Sequence, residues 1–197
     1  MDLVWPADAH LASYADALRR GWSADTTRPQ HALEELARID ADRRRFVAEQ
    51  VDREGRLPPV ALPDGSIARR IPGYRLWMWD GELAGSIGFR WQPGTTALPP
   101  HCLGHIGYTV VPWKRGRGYA TRALALLLPI VRGEGLPFVE LTTDPANVAS
   151  QQVIERNGGR AGRAIREAGG LRWRRGVAVS DPARVSASVR DGSAAAA

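Results

Sequence analysis

The sequence predicts an α/β protein with a mixed central sheet of about seven strands. Runs rich in β-branched and aromatic residues alternate with helical patterns, in the order strand, two helices, three strands, helix, strand, helix and two strands. This order lacks the strict alternation of a doubly wound fold. We expect one domain over residues 1–180 and a disordered low-complexity tail over residues 181–197.

The N-terminal elements are predicted to be one strand and two helices. A short strand over Leu3–Pro6 precedes a helix over His10–Trp22, in which apolar residues recur every three or four positions. Arg28–Arg53 is predicted to form a second, longer helix. The next stretch, residues 55–73, is rich in proline and glycine and is predicted to be a loop.

A β-hairpin is predicted after this loop. Tyr74–Trp79 and Leu83–Trp91 have the composition of strands and flank Asp80-Gly81. This dipeptide suits a tight turn because glycine tolerates the positive φ that the turn needs. Three tryptophans of the hairpin either line a cleft or, as we prefer, pack in the core: Trp77, Trp79 and Trp91.

Strands and helices alternate in the C-terminal half. A strand is predicted over His105–Val111, and an amphipathic helix over Gly118–Arg132. The strand Phe138–Thr142 precedes a short helix that is capped by Asp144 or Asn147. The last two strands are predicted near residues 163–167 and 171–179.

Composition narrows the class of protein. The formal net charge is +6, and Lys114 is the only lysine, so the positive charge is almost entirely arginine. These arginines are spread along the chain, which argues against a nucleic-acid interface on one face. Cys102 is the only cysteine, which rules out an internal disulfide. The longest apolar run, Ala123–Val131, is too short to span a membrane, and we expect a soluble cytoplasmic protein.

The stretch that follows Val111 has the features of a phosphate-binding loop. The start of a helix presents unpaired N–H groups and the positive end of the helix dipole, which suit a phosphate. Gly116 and Gly118 allow unusual φ values and a close approach of the backbone to a ligand. Three basic side chains add positive charge, namely Lys114, Arg115 and Arg117.

Two common phosphate motifs do not fit this loop. A Walker loop ends in Gly-Lys-Ser/Thr, which is absent. A dinucleotide fingerprint needs a third glycine, where this chain has Thr121. The pattern Arg/Gln-x-x-Gly-x-Gly/Ala is matched in full by Arg115, Gly118 and Ala120.

These residues give the chain a resemblance to a known family. Residues 74–179 resemble the GNAT N-acetyltransferase superfamily, most clearly over His105–Thr121 and at Asp144-Pro145-x-Asn147-x-x-Ser150. The segment that follows is similar to one bacterial branch, with the motif N-x-x-S-x-x-V-I-E-x-N-G-G. The resemblance implies a GNAT-like fold, with helices on both faces of the sheet and splayed central strands, and an acetyl-CoA-dependent N-acetyltransferase activity.

The resemblance also implies which residues bind acetyl-CoA. The strand edge at Tyr108, Thr109 and Val110 would pair with the pantetheine arm, while Asn147 and Ser150 would contact it from the following helix. A plain helix cap is the alternative role of the asparagine. The pyrophosphate would be held by the amides of the loop, namely Arg115, Gly116, Arg117, Gly118, Tyr119, Ala120 and Thr121.

The implied reaction is direct attack of a primary amine on the thioester in a ternary complex, without a metal. Many relatives carry a tyrosine that protonates the leaving thiolate, seven residues after the asparagine, where this chain has Ile154. Tyr108, Tyr119 or water are the alternative acids. Three residues are candidate bases, namely His105, Glu140 and Asp144. The histidine has the most suitable unperturbed pKa.

Two other functions stay open at this point. Ile154 in place of the tyrosine motivates a non-catalytic acyl-CoA sensor, which would bind the thioester without turnover. The basic composition motivates a nucleic-acid-binding protein, whose affinity would fall steeply with salt. No motif specifies the acceptor, so both a small-molecule amine and a peptide amine fit. The sequence also allows a homodimer.

Overall fold

The central sheet of the protein is divided into two parts. The computed structural model describes residues 1–25, 28, 30–62, 64–160, 164–167, 170–179 and 189–190. The larger part has the order β11 (Val189–Arg190), β1 (Asp2–Val4), β5 (Gly73–Trp79), β6 (Leu83–Arg90) and β7 (Ile106–Val110), with β2 (Val51–Asp52) paired to β5. The smaller part has the order β8 (Phe138–Thr143), β10 (Gly170–Ala178) and β9 (Ala164–Glu167). Parallel and antiparallel pairs both occur, which confirms the predicted mixed sheet.

Helices cover both faces of the larger sheet, as predicted. The five helices of the described chain are α1 (Asp8–Arg19), α2 (His31–Ala41), α3 (Arg43–Ala48), α4 (Tyr119–Gly133) and α5 (Val148–Arg156). The first three pack around the buried Trp77 on one face. The last two share a core with alternate residues of β5 to β8 on the other face, where Leu124 and Leu127 are fully buried. Burial of such a side chain contributes about 2 kcal/mol to stability.

The predicted long helix over Arg28–Arg53 is wrong, because the chain breaks at Asp42. This residue adopts an extended conformation, and its side chain accepts a hydrogen bond from the Arg45 amide at 2.9 Å. An aspartate in this position caps a new helix and ends the preceding one. The described part of the predicted loop 55–73 also contains two short strands, β3 (Val60–Ala61) and β4 (Ile67–Ala68).

The hairpin tryptophans belong mainly to the interior. Trp77 is fully buried against α1 to α3, whereas Trp91 is buried in the core on the opposite face. Trp79 is half-buried at the margin of the first core. The burial of these tryptophans therefore favours core packing over the lining of a cleft.

The predicted tail lies almost entirely outside the described residues. Its only described pair, Val189–Arg190, forms a parallel bridge to Leu3 and Val4. The disorder expected over the rest of residues 181–197 stays a prediction. Among the described helices, none combines the length and the apolarity that a membrane crossing requires.

The two parts of the sheet meet at one point and then diverge. The His105 amide donates to the Glu140 carbonyl at 2.8 Å, and the His105 carbonyl accepts from the Arg90 amide at 2.9 Å. Gly104 allows this approach, since a Cβ at this position would lie 2.9 Å from the Glu140 carbonyl oxygen. Beyond this junction the described residues of β7 and β8 form no ladder. A V-shaped gap therefore opens toward the carboxyl ends of these two strands.

Candidate active site

A tight glycine-containing loop lies at the open end of the gap. The chain leaves β7, makes a short 3-10 turn over Pro112–Lys114 and enters α4 at Tyr119. Gly116 and Gly118 have φ values of 76° and 77°. A Cβ at either glycine would meet no atom within 4 Å. The backbone conformation, and not lack of space, is what requires glycine here.

Consecutive backbone amides of this loop have no acceptor among the described residues. The Arg115 amide, expected to bind the pyrophosphate, donates instead to the Pro112 carbonyl at 3.4 Å, and the next amide with an acceptor in the described chain is that of Arg122, which reaches the Gly118 carbonyl at 3.0 Å. Gly118 has no side chain to cap the helix. The described chain supplies no acceptor to the amides of Gly116, Arg117, Gly118, Tyr119, Ala120 and Thr121. Together with the helix dipole, these donors form a site for an anion.

The three basic side chains of the loop have different environments. Lys114 is only 5% exposed, and its Nζ contacts Asp80 and lies 2.9 Å from Glu82 Oε1. The expectation that Lys114 adds charge for a phosphate is therefore wrong, since carboxylates neutralise it. Arg115 donates from Nε to the Val110 carbonyl at 3.3 Å. Arg117 is also exposed, and its side chain forms a hydrogen bond with that of Tyr119.

Asp80 also contacts the far side of the loop. The Tyr119 hydroxyl donates to its second carboxylate oxygen, while Lys114 occupies the first. Burial pushes the pKa of Asp80 upward, but the hydrogen bonds from Lys114 and Tyr119 outweigh it and hold that pKa below its ordinary value. From the sequence, Asp80 is recognisable only as a residue of the hairpin turn. The single lysine in an arginine-rich chain was the signal that could have found this contact.

The outer edge of β7 has no partner strand among the described residues, although the Val110 carbonyl on this edge accepts a hydrogen bond from Arg115 Nε at 3.3 Å. The bond from the Val111 amide to the Ala84 carbonyl, with that from Arg90 to His105, fixes which residues of β7 pair with β6. In an antiparallel ladder these are alternate residues, so Thr109 turns its amide and carbonyl toward β6. Tyr108 and Val110 turn theirs away from β6, toward the side where β8 diverges.

The side chain of Tyr108 crosses the gap. Its hydroxyl donates to the Ser150 carbonyl at 3.3 Å, which links β7 to the first turn of α5. Burial raises the pKa of Tyr108, while an interaction with the Ser150 side chain opposes this shift. Thr109 points to the opposite face, where its hydroxyl accepts from Trp22 Nε1 at 3.2 Å. Tyr108 and Ser150 are therefore brought together, while the Thr109 side chain is directed elsewhere.

Asn147 serves as the cap of α5. Its Oδ1 accepts from the Ser150 amide at 3.0 Å, and its own amide donates to the Asp144 carbonyl at 2.9 Å. The helix-cap alternative is thus realised. The exposed side-chain nitrogen of Asn147 remains as a donor that the described residues do not use. Asp144 is exposed, and its Oδ1 accepts from the Ala146 amide at 2.8 Å.

The candidate base His105 lies in the interior. The residue is completely buried, and its Nδ1 accepts a hydrogen bond from the Glu140 amide at 3.0 Å. A neutral imidazole whose Nδ1 accepts carries its hydrogen on Nε2, so no ring nitrogen is left to take a proton. The geometry therefore favours a structural role for His105 at the strand junction. Glu140 is half-buried on the β8 face opposite the main core.

Ile154 occupies the position where many relatives carry tyrosine. It is 1% exposed and packs in the core beneath α5. Gly159 lies directly against it, because a Cβ there would collide with the Ile154 side chain. The residue is therefore a packing residue and takes no part in the site.

Asn157 has a role that the sequence analysis missed. Its Nδ2 donates to the Thr121 carbonyl at 3.1 Å and to the Val153 carbonyl at 2.8 Å. The first bond joins the end of α5 to the start of α4. Asn157, the asparagine of the N-G-G motif, thus connects α5 to the glycine-containing loop that precedes α4, the anion-binding loop.

A buried polar cluster, also missed, supports the face covered by α1 to α3. Glu35 is 1% exposed, and it accepts from the Tyr14 hydroxyl at 2.7 Å and from Arg75 Nη1 at 2.9 Å. Burial, with the charge of Glu35, raises the pKa of Tyr14 well above its ordinary value. Within the described residues, no group of three or more His, Cys, Asp or Glu side chains is placed to hold a metal ion.

Comparisons with known structures show the same fold. RimJ of Mycobacterium smegmatis, in complex with CoA-disulfide, is 17% identical, with a TM-score of 0.55 and coverage of 90% of each chain. The microcin C7 self-immunity acetyltransferase MccE, in complex with acetyl-CoA and AMP, is 12% identical, with a TM-score of 0.55 over 89% of this chain and 91% of that one. RimL, a ribosomal L7/L12 α-N-protein acetyltransferase, is 13% identical, with a TM-score of 0.55 over 89% and 92%.

The family itself is shown by the sequence of the chain. A search of curated protein sequences gives no significant match. The family model for the acetyltransferase (GNAT) domain matches residues 7–160, which is most of the chain. This confirms the predicted fold and the predicted enzyme class, an acetyltransferase. The chain therefore belongs to the GNAT acetyltransferase domain family.

Proposed function

We propose that the protein transfers an acetyl group from acetyl-CoA to a primary amine, by direct attack within a ternary complex. The observation that carries this proposal is the row of unpaired amides from Gly116 to Thr121 at the mouth of the gap. Donors that converge at a helix start bind a diphosphate without any further catalytic group. Arg117, exposed in the same loop, adds a positive charge.

The proposed position of the pantetheine arm is the free edge of β7. Its amide groups would pair with the outward amide and carbonyl of Tyr108 and Val110, as an added strand pairs with a sheet edge. Asn147 and Ser150 border the other side of the gap, on α5, and the unused side-chain nitrogen of Asn147 is a suitable donor. The thioester would then lie deep in the gap, near the junction of His105 and Glu140.

The proton balance favours an acceptor of low basicity. A lysine-like amine with a pKa of about 10.4 is mostly protonated at pH 7. Forming its reactive neutral state therefore costs roughly 4–5 kcal/mol. An α-amino group with a pKa near 8 costs only about 1 kcal/mol. Because His105 is occupied by the Glu140 amide, we propose the Glu140 carboxylate as the base, directly or through water. An α-amine is the acceptor that this modest base serves best.

Tyr108 is the acid that we propose for the leaving thiolate. Its hydroxyl already crosses the gap to Ser150, and its raised pKa keeps it protonated at neutral pH. A thiol with a pKa of about 8.5 leaves tolerably as a thiolate, so an acid accelerates the reaction without being indispensable. The other candidate, Tyr119, is bound to Asp80 outside the gap.

The proposal is tested by mixing the protein with acetyl-CoA and a panel of α-amines and lysine-like amines. Release of free thiol is followed at pH 7 and 8. We expect turnover with at least one α-amine and a thermal stabilisation by acetyl-CoA alone. Absence of both would refute the proposal. Stabilisation without turnover on any amine would instead favour the acyl-CoA sensor.

Two further expectations belong to this proposal. A cytoplasmic location is part of it, because the use of a single cysteine, Cys102, fits a reducing compartment. The sequence also allows a homodimer, and sedimentation measures the oligomeric state. A mobility shift of DNA or RNA at low salt, lost as salt rises, would revive the nucleic-acid alternative.

A further inference from the structure

We propose that Asp80 is a positioning residue that holds the anion-binding loop in its binding conformation. The inference rests on the proposed function, because the ligand of the loop is taken to be the diphosphate of acetyl-CoA. Asp80 lies in the turn between β5 and β6, on a separate element from the loop. Its two carboxylate oxygens contact Lys114, before the glycines, and Tyr119, after them.

The loop needs such a constraint because its glycines give it freedom. Gly116 and Gly118 both have positive φ, and a Cβ on either would touch nothing in the protein. Glycine loses more conformational freedom on ordering than any other residue. A loop held only by its own backbone would lose that freedom when the ligand binds, at the expense of affinity. A fixed loop loses it on folding instead.

The carboxylate is well placed for this task. Lys114 is buried, so its charge is screened little by water and is balanced by Asp80 together with Glu82. Tyr119 is the first residue of α4, so its contact with Asp80 fixes the direction in which the helix amides point. Hydrogen bonds to charged groups are stronger than those between neutral groups. One side chain thereby constrains both ends of the segment 115–118.

This contact is present throughout the neutral range. The pKa of Asp80 is held below its ordinary value, so the carboxylate loses its charge only at acidic pH. Burial alone would lower the pKa of Lys114, but its hydrogen bonds to Asp80 and Glu82 raise that pKa above its ordinary value. Both partners are therefore charged between about pH 5 and pH 9.

The test compares acetyl-CoA affinity and turnover in Asp80→Asn, Tyr119→Phe and the double variant. Asp64→Asn is the matched control, because Asp64 is an exposed turn aspartate that bonds Ser66 between two other strands. We expect Asp80→Asn to raise the Kd of acetyl-CoA roughly tenfold, with kcat at saturating acetyl-CoA within about twofold of wild type. Tyr119→Phe should raise the Kd by a smaller factor, and the double variant should be no weaker than Asp80→Asn.

The outcomes separate this inference from the proposed function. If the wild-type protein does not bind acetyl-CoA, the proposed function and the inference fall together. If it binds, and folded Asp80→Asn has a Kd within twofold of wild type, only the positioning role is refuted, even where its melting temperature falls. If Asp80→Asn does not fold, Tyr119→Phe decides, and an unchanged Kd in that variant overturns the inference.

Discussion

Gly118→Glu is the most direct perturbation of the proposed cofactor site. Two separate effects are expected. Because φ at Gly118 is 77°, any side chain there adds backbone strain of about 1–2 kcal/mol. This strain should lower the melting temperature by a few degrees, since about 1 kcal/mol corresponds to roughly 2–4 °C in a domain of this size. A side chain meets no protein atom, so no further clash contributes.

The second effect lowers the affinity for acetyl-CoA and leaves the stability of the free protein unchanged. A carboxylate about 5 Å from a diphosphate with two negative charges is repelled by roughly 1.6 kcal/mol even at the dielectric constant of water. This repulsion should raise the Kd of acetyl-CoA by a factor of about ten or more. The affinity is measured by calorimetric titration of acetyl-CoA, with the thermal unfolding of each free variant recorded beside it.

Two matched variants separate strain from charge. Gly65→Glu places the same residue at a φ of 83° in the exposed turn between β3 and β4, where a Cβ also meets nothing. It should lose similar stability and keep its affinity for acetyl-CoA. Gly118→Ala keeps the strain without the charge and should show a smaller loss of affinity. If Gly118→Glu binds within twofold of wild type, the cofactor does not lie where we place it.

Three further predictions address the acid, the buried polar cluster and the packing under α5. Tyr108→Phe should lower kcat roughly tenfold in the thiol-release assay and leave the Kd of acetyl-CoA within about twofold of the wild-type value. An unchanged kcat between pH 6 and 9 would exclude this tyrosine as the acid. Arg75→Met should lower the free energy of unfolding in urea by about 3 kcal/mol, because Glu35 would stay buried without its cation, whereas a loss below about 1 kcal/mol would contradict the importance of that pair. Gly159→Ala should cost about 1–3 kcal/mol in the same urea experiment through overlap with Ile154, and equal stability would show that the helix shifts freely.

The loop was predictable because its information is local. The order of strand, glycines and helix start specifies both the conformation and the free amides, and these depend on few distant contacts. The turn at Asp80-Gly81 was predictable for the same reason. The break at Asp42 was missed, although an aspartate before a helix is a local signal, because the apolar spacing continues on both sides of it.

The roles of His105 and Lys114 were beyond the reach of the sequence. Each depends on a partner far along the chain: Glu140 for the histidine, Asp80 and Glu82 for the lysine. A histidine beside a predicted site suggests a base from its unperturbed pKa alone, whereas its burial and the hydrogen bond from the Glu140 amide favour a structural role. Such pairings follow from tertiary packing, which residue spacing does not report.

The burial of Ile154 has a consequence for redesign of this enzyme. A phenol cannot be installed at that position by a single exchange, because Gly159 fits against an aliphatic side chain and the site under α5 is already filled. If Tyr108 is the proton donor, as proposed, the donor resides on β7, the strand that is also proposed to align the pantetheine. Any displacement of that strand then alters substrate alignment and proton delivery together. The two properties could be changed independently only if the proton donor lay on the helix and the strand aligned the substrate.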